Sequence, residues 1–207
     1  MQARRGGGRV RRGLVLLLLL ALPVGLLSAC QHSIRPPASV SRPARVYVID
    51  YGQHASLALP AGERRLVEWS WGDWHYFARR ETGLGSGVRA LFASRRSTLS
   101  RRELAAPRDD AELARRVGAQ EVLGFDVEAA RAQALLARLE ARWGANKAGA
   151  ISHADGRIFV PDAARYGLTN NSVHELGRWL RALGVEVRGG GVTARFRQLP
   201  PAPVAAR

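Results

Sequence analysis

The chain has 207 residues, 46% of them hydrophobic, and a formal net charge of +15 carried almost wholly by arginine. That length suffices for one domain with a genuine core, while a single cysteine, Cys30, excludes a disulfide framework and a cysteine metal site. A balance this basic points first to nucleic acid, but no nucleic-acid motif is present. There is no HExxH, and no close His/Asp/Glu cluster to support a metal. The glycine-rich pieces Gly83–Gly87 and Gly189–Gly191 lack the lysine and strand–helix setting of a phosphate loop, so no cofactor is expected.

Taken in order, the chain opens with Arg4, Arg5, Arg9, Arg11 and Arg12, followed by an apolar run from Leu14 to Leu27 interrupted by Pro23 and Gly25. About fourteen residues is too short for a comfortable bilayer span, so residues 1–29 read as a signal peptide. The segment closes on Leu27-Ser28-Ala29-Cys30, which resembles a bacterial lipobox. The resemblance implies that Cys30 becomes the lipidated, palmitate-bearing first residue of the mature protein. Ordinary secretory cleavage near Ala29 is the alternative, and Arg11-Arg12 is a weak match to a twin-arginine signal. The resemblance to lipoproteins further implies that Gln31, where aspartate would signal retention in the inner membrane, directs the chain to the outer membrane facing the periplasm.

Five arginines and no acids leave with residues 1–29, which takes the formal charge from +15 to +10. For an exported chain, the expected partners of this basic surface are the membrane itself through Cys30, anionic lipid head groups or cell-wall polymer, and not nucleic acid. Residues 30–44, with Pro36, Pro37 and Pro43, read as a flexible tether.

Strands are expected at Arg45–Asp50, His54–Leu59 and Arg65–Trp71, the last two antiparallel across Pro60-Ala61-Gly62. The third should place Leu66, Glu68 and Ser70 on one face and Val67, Trp69 and Trp71 on the other. Asp73 should cap a short helix from Trp74 to Arg80, with a further helical turn at Val88–Ser94. A strand at Ser97–Leu104, a helix capped by Asp109-Asp110 and a strand at Glu121–Val127 come next. Over Glu128–Trp143, Ala132, Leu135, Leu136, Leu139 and Trp143 repeat with helical spacing. A short strand at Arg157–Val160, a helix from Ser172, and strands near Val185–Val187 and Val192–Phe196 complete the list. The fold class is α+β. One domain over residues 45–198 carries a mostly antiparallel sheet with helices on one side, and residues 199–207 form a disordered tail.

Chemistry concentrates in two places. His54 begins a strand directly after the turn Tyr51-Gly52-Gln53, and Ser172 opens an amphipathic helix after an asparagine-rich turn. Were they to meet, Ser172 would be a nucleophile and His54 its base, oriented by Glu68 or, second, Asp73. The competing reading makes Ser172-Val173-His174-Glu175 a capping box and His54 an ordinary turn residue. His174, His75 and His153 read as surface residues. Trp69, Trp71, Trp74 and Tyr76 read either as core or as a platform for sugar rings.

Gly52-x-His54-Ala55-x-Leu57, then Trp71-Gly72-Asp73, then Tyr166-x-Leu168-x-Asn170 before the helix start resemble the motifs of a bacterial family of envelope proteins of unassigned function. That family is related to circularly permuted papain-like (NlpC-type) cysteine hydrolases, in which the histidine strand precedes the cysteine helix. The resemblance implies a permuted papain-like arrangement with supporting roles for Tyr166 and Asn170. Ser172 stands where the family's cysteine would be, and Val173 replaces its second asparagine. A serine hydroxyl is far less acidic than a thiol, so the substitution implies a binding or scaffolding domain with a degenerate site. An active hydrolase of amide or ester bonds through Ser172 and His54, and a purely structural lipoprotein, are the alternatives.

Overall fold

A computed structural model describes residues 32–81, 96–189 and 194–201. Cys30, the apolar run Leu14–Leu27, Val88–Ser94, and all or part of both glycine-rich pieces lie outside the described residues. Among the described residues the ten strands are β1 (His32–Arg35), β2 (Pro43–Asp50), β3 (Ala55–Pro60), β4 (Arg65–Asp73), β5 (Ser97–Ala105), β6 (Glu121–Glu128), β7 (Ile151–Ser152), β8 (Ile158–Asp162), β9 (Glu186–Arg188) and β10 (Phe196–Gln198). The helices described there are α1 (Asp110–Val117), α2 (Ala129–Gly144) and α3 (Ser172–Ala182), with one π-helical turn at Trp74–Ala78.

Seven strands form a mixed-order antiparallel sheet, β6-β2-β3-β4-β5-β8-β7. The register sets Asp50 opposite Ala55, Leu57 opposite Trp69 and Trp71 opposite Leu99. Because neighbours across a ladder share a face, Val48, Leu57, Trp69, Trp71, Leu99 and Val160 line one side. There they pack under Ala132, Leu135 and Leu139 of α2 and Val173, Leu176, Trp179 and Leu180 of α3. The helical spacing read for α2 is therefore realised. Leu136 and Trp143 sit at the rim of the cluster, with Lys147 Nζ 4.8 Å from the Trp143 ring centre.

The fold is α+β, but its helices are not confined to one side. On the second face Tyr47, Ile49, Ala58 and Leu66 pack with Leu113 of α1. The physical reason lies in the central strands: β3 is buried at every position but its last and β4 at every position but its first. A sheet with two dry faces must be covered twice. The supposed aromatic cluster is split for the same reason. Trp69 and Trp71 lie in the first core, whereas Trp74 belongs with Ala78 and Phe159 in a separate patch.

The tether expected over residues 30–44 is cut short. β1 pairs in parallel with β10 and antiparallel with β9, in a second, three-stranded sheet. Ile34 is fully buried in the main core and His32 stacks on Phe196 with ring centres 5.2 Å apart. The described fold thus takes in His32–Arg35, inside the expected tether. A four-residue strand with one aliphatic side chain leaves almost no periodic signal, and the nearby prolines dominate the reading of its surroundings. At the other end β10 extends to Gln198, and residues 202–207 of the expected tail lie outside the described residues. Among the described residues no helix is long and apolar enough to cross a membrane.

Candidate functional site

The helix start is built by a compact turn. Gly167 and Asn170 exchange amide-to-carbonyl bonds of 3.0 and 3.1 Å. Asn171 then takes an extended conformation and caps α3: its Oδ1 accepts from the amides of Val173 (3.0 Å) and His174 (3.3 Å) and from His174 Nδ1 (2.9 Å). The cap expected at Ser172 is therefore supplied one residue earlier, by Asn171. Asparagine competes well for this position because its short amide also donates to Leu168 O at 3.2 Å, tying the cap back to the turn. Asn170 supports the turn by donating to Arg165 O and accepting from Arg178 Nη2, each at 2.6 Å.

Glu175 does not reach back to the cap. It is buried and accepts from Arg142 Nη1 (2.5 Å), Arg178 Nε (2.7 Å) and the Trp179 indole (3.0 Å). Arg142 in turn donates to Asp162 at 2.6 and 2.8 Å, and Asp162 accepts from the Trp71 indole at 3.3 Å. This chain of contacts clamps α2, α3, β4 and β8 together. The Arg142 guanidinium holds the Asp162 carboxyl below its usual range against the opposing effect of burial, which is the largest single influence.

Ser172 is half-buried at the first position of the helix. Its hydroxyl and amide both engage the Tyr166 hydroxyl, whose ring lies 5.4 Å from Trp71. Burial pushes the Tyr166 phenol up, and the contacts from Ser172 oppose it. Asp73 accepts from Tyr76 N at 2.8 Å and caps the π-helical turn. Its neighbour Gly72 is required by packing: a Cβ there would stand 2.3 Å from a ring carbon of Phe77. The Trp-Gly-Asp motif thus has one structural task per residue, namely core contact, close approach and cap.

His54 lies at the same end of the sheet but on the other face. It sits opposite Tyr51 in the tight β2–β3 hairpin, where Tyr51 N donates to His54 O at 2.8 Å. Asp50 and Ala55 precede and follow the turn on the first face, so Tyr51, His54 and Ser56 point to the second. The imidazole packs 4.7 Å from Phe77, the ring that covers Gly72 on that same face. Its Nδ1 is buried and has no hydrogen-bond partner among the described residues. Burial first, and the Arg157 guanidinium second, push its pKa down to about 4, with the Glu68 carboxylate opposing. The ring is neutral at pH 7.

Glu68 does come beside the His54 strand, opposite Ala58, but its carboxylate is fully engaged elsewhere. It accepts from Ser56 Oγ (2.6 Å), Tyr51 OH (2.7 Å), Arg102 Nε (2.7 Å) and Arg157 Nη2 (3.1 Å). Burial alone would raise its pKa. The guanidiniums of Arg157 and Arg102, and then the two hydroxyls, outweigh that and hold it below the usual carboxylate range. With Ser70 and Ser100 in mutual contact nearby, these residues form a buried polar stripe through the middle of the second face.

The structure therefore brings Ser172, Tyr166 and Trp71 together on one face and His54, Glu68 and Tyr51 on the other. It does not join the two sets. Asp73 belongs with the first set and touches neither imidazole nor Glu68 in the contacts described. Sequence reading missed Ser56, Arg102 and Arg157 as partners of Glu68, and Asn171 as the cap. The pattern held one signal for the former, a run of polar residues at alternate positions inside apolar strands. His153 is more than a surface residue: its Nε2 lies 2.9 Å from Ala78 O and its ring 4.5 Å from Phe159. His75 contacts Glu81 at 3.3 Å. Among the described residues no three His, Cys, Asp or Glu side chains gather as a metal site. No protein-family model, no curated protein and no solved structure matches the chain.

Proposed function

We propose that this is a lipid-anchored protein of the bacterial cell envelope whose domain binds or scaffolds and does not catalyse. One observation carries the non-catalytic part. Ser172 and His54 occupy opposite faces of the sheet, and the carboxylate that would orient the histidine is committed to two guanidiniums. A nucleophile needs its base within hydrogen-bond reach, and the base needs its orienting acid. Neither link is made. The order of the motifs, histidine strand before helix start, supports descent from a permuted papain-like hydrolase. The serine at the helix start and the structural engagement of Glu68 fit a site that has left that chemistry. The lipobox-like Leu27-Ser28-Ala29-Cys30 supports the anchor.

Membrane fractionation of the full chain and its Cys30→Ser variant tests the anchor, with release of the variant expected. For the site, the protein and its Ser172→Cys variant are incubated with cell-wall peptides and model esters, and binding to intact cell-wall sacculi is followed by sedimentation. Neither form is expected to turn over substrate. Turnover by the native protein that both Ser172→Ala and His54→Ala abolish would overturn the reading.

A further inference from the structure

The first described strand lies very close in sequence to the anchor proposed at Cys30. β1 begins at His32, two residues after Cys30, and is paired from its first residue: His32 N donates to Arg195 O at 3.0 Å, and His32 stands opposite Phe196. Two residues of extended chain span about 7 Å. A lipid on Cys30 would therefore leave the three-stranded sheet no freedom to swing away from the bilayer, unlike a domain on a long linker.

The direction of β1 says which end of the domain comes down. β9 runs back along α3, with Val187 Cγ1 3.9 Å from where a Cβ on Gly177 would stand, so β9 ends toward the Ser172 end of that helix. β1 is antiparallel to β9, with Ser33 opposite Arg188 and Arg35 opposite Glu186. The first residue of β1 thus points the same way as the first residue of α3. Ser172 in turn meets Tyr166, which packs on Trp71 near the end of β4 that lies beside Ala55 and the β2–β3 hairpin. The charge of Arg195 acts on Asp50, at the foot of that hairpin, which agrees with this placement. Arg188, which is ion-paired to Glu186 at 2.6 Å, and Arg195 are both exposed at this end. Cations there suit the negative surface of a bilayer.

We propose that the lipid on Cys30 holds the hairpin end of the domain, bearing Gln53 and the Ser172 helix start, against the membrane surface, so that the partner of this end is the head-group layer of the bilayer. The opposite end, the β3–β4 turn with Glu63, points away from it. The proposal rests on the anchor reading above.

The test uses the full lipidated chain in vesicles of phosphatidylethanolamine and phosphatidylglycerol containing a minor share of lipid with a head-group nitroxide. The thiol of Cys30 is consumed by lipidation, so a fluorophore can be placed uniquely at Gln53→Cys or Glu63→Cys, both exposed positions. The two turns are separated by the length of β3, about 20 Å, well beyond contact quenching. Quenching at position 53 is expected to exceed that at position 63 by about three-fold or more. About twelve Gly/Ser residues inserted between Cys30 and Gln31 should bring the two labels level. Equal or reversed quenching in a chain whose mass includes the lipid overturns the orientation and leaves the anchor reading standing. A chain without the added mass overturns the anchor, and the orientation with it. A difference that survives the inserted linker overturns the short connection as its cause.

Discussion

The buried, neutral His54 makes a quantitative demand on stability. In the folded chain its pKa is pushed down to about 4, whereas an unfolded histidine titrates near 6.5. Between those values the unfolded chain binds a proton that the folded chain refuses, so stability rises with pH through the window and falls as pH drops through it. Integrating between about pH 7.5 and pH 5 gives a loss of about 2 kcal/mol from this one side chain. The assay is urea unfolding followed by tryptophan fluorescence at both pH values, for the native protein and for His54→Phe. Phenylalanine keeps a ring against Phe77 and Tyr51 but cannot titrate. Depressed carboxyls such as Glu68, Asp155 and Asp162 also lose stabilisation toward acid, as the pH falls toward their folded values, in both proteins alike. The difference between the two slopes therefore isolates His54. The variant should lose about 2 kcal/mol less than the native protein on acidification. Equal losses would refute the claim that the imidazole is held neutral by burial, and would place it in contact with solvent.

Glu68→Gln should destabilise by about 3–5 kcal/mol in the same unfolding assay, because it leaves two guanidiniums facing a neutral amide in a buried site. A loss under about 1 kcal/mol would mean the stripe is open to water. Asn171→Ala should cost about 1–2 kcal/mol and Ser172→Ala less than about 1 kcal/mol, since the former carries the cap and the latter only its contact with Tyr166. The reverse order would restore Ser172 as the cap.

The strands and helices that sequence made legible are those with strong periodicity and a chemical boundary. α1 begins after Asp109, whose carboxylate accepts from Glu112 N at 2.7 Å, and ends at Gly118 with φ 70°, both readable from residue type alone. The β3–β4 hairpin was likewise set by Pro60-Ala61-Gly62 between two apolar runs. What stayed hidden depends on partners distant in sequence. Glu68 looked available because the sequence shows its polarity, while Arg102 and Arg157 reach it only through the β4–β5–β8 register. The choice of Asn171 over Ser172 as cap turns on which backbone in a run of four eligible residues, Thr169, Asn170, Asn171 and Ser172, is the last to stay extended. The separation of His54 from Ser172 turns on a parity of one residue in a hairpin, since shifting a strand by one position exchanges its faces. Motif order along the chain carries no information about that parity.

The pairing of β1 with β10 also bears on when the domain can form. β1 starts at His32, yet one of its ladder partners begins at Phe196, 196 − 32 = 164 positions further along the chain. Contacts between such distant segments form late, because the intervening loop entropy must first be overcome by nearer contacts. His32 and Ile34 therefore gain this ladder partner only once the segment from Phe196 to Gln198 has arrived. On the proposed reading of export and anchoring at Cys30, that order keeps His32–Arg35 unpaired beside the lipobox-like Leu27-Ser28-Ala29-Cys30 until the late pairing forms.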